Sequence, residues 1–284
     1  MSIVVLGSIN RDIVASVERL PDPGETIRAT KHAMYPGGKG ANQAVAAACS
    51  GADVVLIGRI GRDGVDLLDE IASAGVDVSP VTVADGTSGT ALITVAADGS
   101  NTIVTTGGVN HDVGAAELDT LRSALASAQM LMLQLEVRAE VVVEAIDLAS
   151  AAGVPVMLDP APVRDLDPAI YPKVAWITPN EHEAMALSGS TDPSWFHGRG
   201  TTHAVVTLGT VGCAYTGPQG SFVVAAPTVD VVDTVACGDA FNGALAAALV
   251  RTNAVRDALD LACAAGARAA SVEGAYPSLV VLRG

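Results

Sequence analysis

The chain has 284 residues, 50% of them hydrophobic and 17% charged, with a formal net charge of −15. That balance excludes a disordered chain or a coiled coil, and it suffices for one large α/β domain or two modest ones. So acidic a chain is repelled by nucleic-acid phosphates, which argues against a nucleic-acid partner, although a local site can oppose the global field and take a phosphate substrate.

In chain order, Ser2–Leu6 is a short β-branched run that stops at Gly7 and predicts a buried strand. Residues 11–36 hold extended stretches between Pro21, Pro23, Gly24 and Pro36. Residues 41–50 are rich in helix formers and precede Gly51, a C-terminal stop. Val54–Ile57 predicts a second buried strand, and 64–74 a helix ending near Gly75. Residues 88–105 carry two β-rich runs around Asp98-Gly99, a hairpin signal. In 115–128, Leu118, Leu121, Leu125 and Ala128 share one helical face. A strand at Met130–Leu135 and a helix over 138–152, closed by Gly153, follow. Strands near 154–158 and 174–178, a short helix near 181–188 and a strand at 203–208 continue the alternation, while 189–202 shows no clear helix. Residues 233–243 read as a strand end, a small-residue turn and an Ala-rich helix.

Strands alternating with helices predict an α/β fold with a mostly parallel central sheet and helices on both faces. The stretches at about 11–36 and 88–108 carry no helix and interrupt the alternation. They are expected to be β-insertions at the carboxyl edge of the sheet, where such folds place ligands, and together to form a small lid on a single domain spanning 1–284. Cys49, Cys213, Cys237 and Cys263 form no C-x-x-C pair, and neither they nor the five histidines have metal spacing. Free thiols in a reducing cytoplasm are expected. The first residues lack a basic region and a cleavage site, and no stretch reaches the roughly 18 apolar residues of a membrane span, so no membrane partner is expected.

Four constellations fall at strand-to-helix junctions. At Asp233-Thr-Val-Ala-Cys-Gly-Asp-Ala-Phe-Asn-Gly243 the turn aims backbone N–H groups at one spot, at the positive end of a helix dipole. A carboxylate beside such an anion hole works against anion binding alone. It suits phosphoryl transfer, with Asp239 taking a proton from an attacking hydroxyl while the N–H groups hold the transferring group. The alternative is that Asp239 simply caps the helix. The Gly37-Gly38-Lys39-Gly40 turn lets backbone approach a ligand, and Asn42 on the next helical turn offers a donor and an acceptor for a polyhydroxyl compound, although an ordinary turn would look the same. The spacing is not that of a Walker P-loop. Asn10 with Asp12, after the first strand, can hold a diol or be a solvated turn. Asn180 and Glu183 lie one helical turn apart, where the carboxylate can hold Mg²⁺ through water or merely complement the helix dipole. Glu136 closes a strand and can reach the same crevice.

The motifs GSINRDIV (7–14), PDPGET (21–26), YPGGKGANQAVAA (35–47), SGTALITV (88–95), LQLE (133–136), TPNEHE (178–183), TLGTVG (207–212), DTVACGDAFNGAL (233–245) and GAYPS (274–278) resemble, in order, segments of the ribokinase family of sugar and nucleoside kinases, the PfkB group. The resemblance covers nearly the whole chain and implies the ribokinase-like three-layer fold with its β-sheet lid. It implies Asp239 as catalytic base and the backbone of Ala236, Cys237 and Gly238 as anion hole. Asn10, Asp12, Gly38, Lys39, Asn42 and Glu136 would hold the sugar, with Ala91 and Ile93 of the lid covering it. Asn180, Thr207, Gly209, Gly212 and Cys263 would lie by ATP, and Glu183 would organise Mg²⁺. Asp233, Val235, Ala269, Val272, Gly274 and Ser278 match the positions that ligate a monovalent cation, K⁺, in the family.

The Asn10/Asp12 pair and the GGKGAN form are similar to the ribose-type versions, implying ATP-dependent conversion of D-ribose to ribose 5-phosphate. Deoxyribose, nucleoside or ketohexose kinases are the near alternatives. A sugar sensor without activity, or a dinucleotide-binding enzyme, fits less well: Asp239 is retained, and Gly58, Gly61 and Gly64 lack the G-x-G-x-x-G spacing. A homodimer through the lid is also implied. The chain departs from the family pattern at Val235 (usually Thr), Cys237 (usually a smaller residue) and Cys263 (often polar), and 189–202 is shorter than the usual connection.

Overall fold

Ser2–Leu6 forms strand β1, and its alternating side chains divide the molecule: Ile3 and Val5 enter one hydrophobic core, Val4 and Leu6 another. The computed structural model describes residues 2–165, 167–252 and 254–283. After β1 come β2 (Asn10–Val17), β3 (Lys31–Gly37), α1 (Lys39–Cys49), β4 (Asp53–Ile57), β5 (Arg59–Gly61), α2 (Val65–Ser73), β6 (Val76–Asp77) and β7 (Thr82–Ala84). The hairpin of β8 (Gly89–Ala96) and β9 (Asn101–Thr106) precedes α3 (Ala115–Ala124), β10 (Ala128–Leu133), α4 (Ala139–Ala152), β11 (Val156–Leu158) and β12 (Trp176–Ile177). Then follow α5 (Glu181–Ser188), α6 (Ser194–His197), β13 (His203–Thr207), β14 (Gly212–Gly217), β15 (Gly220–Ala225), α7 (Cys237–Leu249), α8 (Val255–Ala270) and α9 (Ala275–Val280).

The main sheet has the order β15-β14-β13-β12-β11-β10-β1-β4-β6. It is parallel from β13 to β6 and antiparallel at the β13-β14-β15 edge. Helices α1, α2, α7, α8 and α9 cover one face and α3 to α6 the other. Burial on both faces is why β1 and β10 read as continuous apolar runs. A second sheet, β3-β2-β8-β9, is built from the two insertions, and its β8–β9 turn falls at Asp98-Gly99 as expected. Among the described residues no helix is long and apolar enough to cross a membrane.

Several expectations are corrected. The helix expected over 115–128 ends at Ala124, because Ala128 pairs with Ser2 in the β1–β10 ladder. The α6 turn lies inside 189–202, where no helix was expected; Phe196 is wholly buried in the core below it. The strand end expected at the start of 233–243 is absent: residues 226–236, between β15 and α7, form no strand. The 232–236 segment instead hydrogen-bonds to Ala270 O and to the Asp233 carboxylate, so it has no free ladder. The β14–β15 pair and the small β5–β7 sheet were not foreseen, since their short glycine-flanked runs carry little periodicity.

Candidate active site

Strand β2 leaves the end of β1 and starts the lid, which puts Asn10 and Asp12 on one face over the crevice. Both are buried. Asn10 Oδ1 accepts from Asn110 Nδ2 at 2.8 Å, and Asn110 also braces the Ile9 backbone, taking its N–H at 3.0 Å. Asp12 Oδ1 is buried without a partner among the described residues. The Gly37 backbone presses against the Asp12 carboxylate so closely that a Cβ there would lie 2.1 Å from Oδ1. Ala91 and Ile93 stand opposite Asp12 and Val14 in the lid ladder, and both are buried.

Gly38 turns the chain into α1 with φ +86°, a conformation suited to glycine. The first N–H of α1, on Lys39, donates to Glu136 Oε2 at 3.0 Å, and Ser8 Oγ donates to the same oxygen at 2.5 Å. The Lys39 side chain reaches a residue the sequence reading missed: its Nζ lies 3.2 Å from Asp159 Oδ2. Asn42 Nδ2 donates to Asp239 Oδ2 at 3.0 Å, and Gln43 Nε2 to Asp239 Oδ1 at 3.1 Å and to Asp159 Oδ2 at 2.8 Å. Gln43 Oε1 in turn accepts from Gln134 Nε2 at 2.7 Å. Asp159 directly follows β11, as Glu136 follows the end of β10, so its place at the carboxyl end of a parallel strand was a usable signal. Gln43 carried none beyond its proximity to Asn42.

Asp239 is the third residue of α7. It is not a cap: the N-cap is Ala236, at φ +61°, with no side-chain cap bond. The N–H groups of Gly238 and Asp239 have no partner among the described residues, whereas Cys237 N contacts Thr234 O at 3.4 Å. Burial pushes Asp239 up to about 6, with Lys39 opposing and Asp159 adding to the rise. Burial likewise raises Asp159 to about 6 against the pull of Lys39. Asp12 rises to about 7, through burial and then the charges of Glu136 and Asp239. Burial disfavours the Lys39 ammonium, but the surrounding carboxylates, Asp159 foremost, hold its pKa above the usual lysine range. Burial, aided by Asp233 and Asp239, pushes the Cys237 thiol up to about 11. Two buried carboxylates, Asp159 and Asp239, with Glu136 and Glu183 adding their charge, thus act on one ammonium, a site suited to moving a proton and to receiving further positive charge.

Beside the α7 N-terminus opens a cleft of about 330 Å³ with Thr207, Gly209, Gly212, Gly238 and Cys263 in its lining. Its walls are chiefly apolar, including Val229, Val231 and Phe241. The Cys263 thiol is engaged with Cys213 Sγ at 3.7 Å. Asn180 forms a bridge to Thr207 and caps α5, its Oδ1 accepting from Glu183 N at 2.9 Å while Glu183 Oε2 accepts from Asn180 N at 2.8 Å. The pair thus forms a capping box at the start of α5, in keeping with the alternative of a helix start, and the box occupies one oxygen of Glu183. Asp233 Oδ1 and Oδ2 accept from Val235 N at 3.0 Å and Gly274 N at 2.9 Å, which ties the loop before α7 to the turn before α9. In that turn Val272 N donates to Ala269 O at 3.1 Å, and in α9 Ser278 Oγ, wholly buried, donates to Ala275 O at 2.7 Å.

The pfkB family of carbohydrate kinases matches residues 1–281. The chain is 34% identical to the ribokinase of Staphylococcus aureus over 294 residues, covering 99% of this chain and 97% of that one. It is 33% identical to the deoxyribokinase of Salmonella typhi over 295 residues, 98% and 96% of the two chains. Among solved structures, Arabidopsis thaliana ribokinase complexed with ribose and ATP matches with TM-score 0.85 at 30% identity, over 99% of this chain and 98% of that one.

Proposed function

The chain belongs to the pfkB family of carbohydrate kinases and so is a sugar phosphotransferase, and we propose that it transfers the γ-phosphoryl group of ATP to D-ribose, giving ribose 5-phosphate. The observation that carries the reading is Asp239, a buried carboxylate hydrogen-bonded by two neutral amides and set among the open N–H groups at the start of α7. A raised pKa near 6 leaves it ionised at neutral pH yet basic enough to accept the proton of an attacking hydroxyl. The N–H groups of Gly238 and Asp239, with the α7 dipole, are placed to take charge on the transferring group. Cys237 and Ala236 complete that turn through their backbone.

Asn10, Asp12, Asn42 and the Gly38–Lys39 turn hold the sugar hydroxyls, Glu136 fixes that turn, and Ala91 and Ile93 cover the sugar from the lid. The unpartnered Asp12 Oδ1 fits this role, because a ligand hydroxyl would satisfy it. The cleft lined by Thr207, Gly209, Gly212 and Cys263 takes the nucleotide, with Asn180 next to it through its bridge to Thr207. The free oxygen of Glu183 suits Mg²⁺, which keeps most of its water and needs few protein ligands. When bound, that ion would neutralise phosphate charge. K⁺ would be held by carbonyls of Val235, Ala269, Val272 and Gly274 with Ser278. Asp233, both of whose oxygens are taken by backbone N–H groups, shapes that loop and supplies charge. The lid's outer strand β9 is exposed throughout, Ile103 and Val104 included on its two faces, and its far edge pairs with no other strand among the described residues, which suits a homodimer. Four free cysteines fit a reducing cytoplasm.

The test is ADP release from MgATP, in potassium buffer, with ribose against other pentoses, hexoses and nucleosides. Turnover confined to ribose is expected. Preference for deoxyribose, the reading favoured by the Salmonella relative, would keep the mechanism and change the substrate. No turnover with any sugar, ATP binding being intact, would favour a sensor.

A further inference from the structure

Cys213 lies on β14 and Cys263 on α8, and nothing in the phosphoryl-transfer chemistry uses either thiol. Their sulfurs are 3.7 Å apart although the residues are fifty positions apart in the chain. Both are buried, Cys213 completely. Cys263 forms part of the cleft wall, with Phe241, Gly266 and Ala267, whereas Cys213 lies behind it and does not line the cleft. No other pair of cysteine sulfurs is in contact among the described residues, and Cys49 and Cys237 pair with backbone carbonyls instead.

We propose that Cys213 and Cys263 form a redox-active dithiol in the wall of the nucleotide cleft, closed to a disulfide by peroxide and protected when nucleotide fills the cleft. The cleft's identity as the nucleotide site rests on the function proposed above; the dithiol itself does not. The chemistry balances without any further reagent. The Cys263 thiolate attacks hydrogen peroxide, forming a sulfenic acid and releasing water once the thiol proton is counted. Cys213 then attacks that sulfur, the S–S bond forms, and a second water leaves. Two thiols lose two electrons and one peroxide gains them.

Two features favour Cys263 as the attacking sulfur. It borders the cleft, and its hydrogen-bonded contact with Cys213 Sγ lowers its pKa below the usual thiol range, with burial opposing. Cys237 also borders the cleft, but it is the poorer thiolate, pushed up to about 11 by burial. Bonding draws the sulfurs from 3.7 Å to about 2.05 Å, so α8 and β14 shift together and the cleft wall moves. Because the coupling between nucleotide and oxidation is reciprocal, a filled cleft resists oxidation and an oxidised cleft binds nucleotide less well.

The experiment treats the full chain with hydrogen peroxide, blocks remaining thiols with N-ethylmaleimide, and maps cross-linked peptides by mass spectrometry, with and without saturating MgATP. Expected are a Cys213–Cys263 peptide, its formation slowed by MgATP, and an MgATP Kd at least about fivefold weaker in the oxidised protein, restored by dithiothreitol. In Cys213→Ala the link is lost and dimedone traps Cys263 as sulfenic acid. Four free thiols after exhaustive oxidation, or Cys263 linked to Cys237, overturns the proposal. So does a disulfide that forms equally fast with MgATP bound. If the reduced protein binds no MgATP, the kinase reading fails and the coupling with it, while the mapped peptide still decides whether the dithiol exists.

Discussion

Gln43 donates its side-chain amide to Asp239 at 3.1 Å. The same nitrogen serves Asp159, and the Gln43 oxygen accepts from Gln134, so one residue of α1 ties the candidate base to two strand ends of the central sheet. Hydrogen bonds to an ionised carboxylate favour the ionised form, so Gln43 and Asn42 restrain a pKa that burial drives upward.

That restraint sets a pH dependence. With the base near 6, kcat/KM should fall about tenfold per unit as pH drops below that value. Gln43→Leu removes a donor, raises the Asp239 pKa further and should move the acid limb toward higher pH. Rate profiles of the two proteins from pH 5 to 9 would show it, and superimposable limbs would separate Gln43 from the base.

Asp239→Asn should reduce kcat by at least ~10²-fold while ribose still binds, as expected for loss of a general base. Steady-state turnover with a separate calorimetric titration of ribose checks both halves. Near-normal turnover would remove Asp239 from that role.

Stability should change with pH in a direction set by Asp12. Its folded pKa, about 7, lies above the unfolded value of 3.8, so the folded chain holds the extra proton between them. The contribution to stability is fully present below about pH 3.8 and is lost as pH rises through about 7. Asp12→Asn should therefore melt at an equal or higher temperature than the parent at pH 8, with the advantage shrinking toward pH 5. A variant less stable at pH 8 than at pH 5, relative to the parent, contradicts the burial argument.

Gly37→Ala places a methyl group where the Asp12 carboxylate now lies. The displaced carboxylate should cost about 10²-fold in kcat/KM for the sugar, mostly through KM, since a shift of ~1 Å in a positioning group is worth that much. Initial rates across sugar concentrations measure it.

Potassium should activate and lithium should not, if carbonyls from the 235 and 269–274 segments order the turn before α7. Rates at equal ionic strength in the two salts give the answer, and equal rates would leave those segments a structural role alone.

Much of this protein was legible locally. The apolar run of β1, the Gly153 stop of α4 and the Asp98-Gly99 hairpin follow from burial pattern and turn chemistry within a few residues. The strand-to-helix junctions, and hence Asp12, Asn42 and Asp239 as residues facing one crevice, also followed from the alternation of elements. Other features were not local. The loop before α7 looked like a strand end because its tie to Ala270 lies almost forty residues away. Asn42 meets Asp239 across 197 positions and Lys39 meets Asp159 across 120, and only the packing of α1 against α7 and the parallel register of β10 and β11 bring them together. The sequence by itself determined the elements, their order and the residue types at each junction. Tertiary structure alone decided which amide reaches which carboxylate, which charges share a buried site and which two thiols touch, because those contacts depend on register and burial that no local pattern encodes.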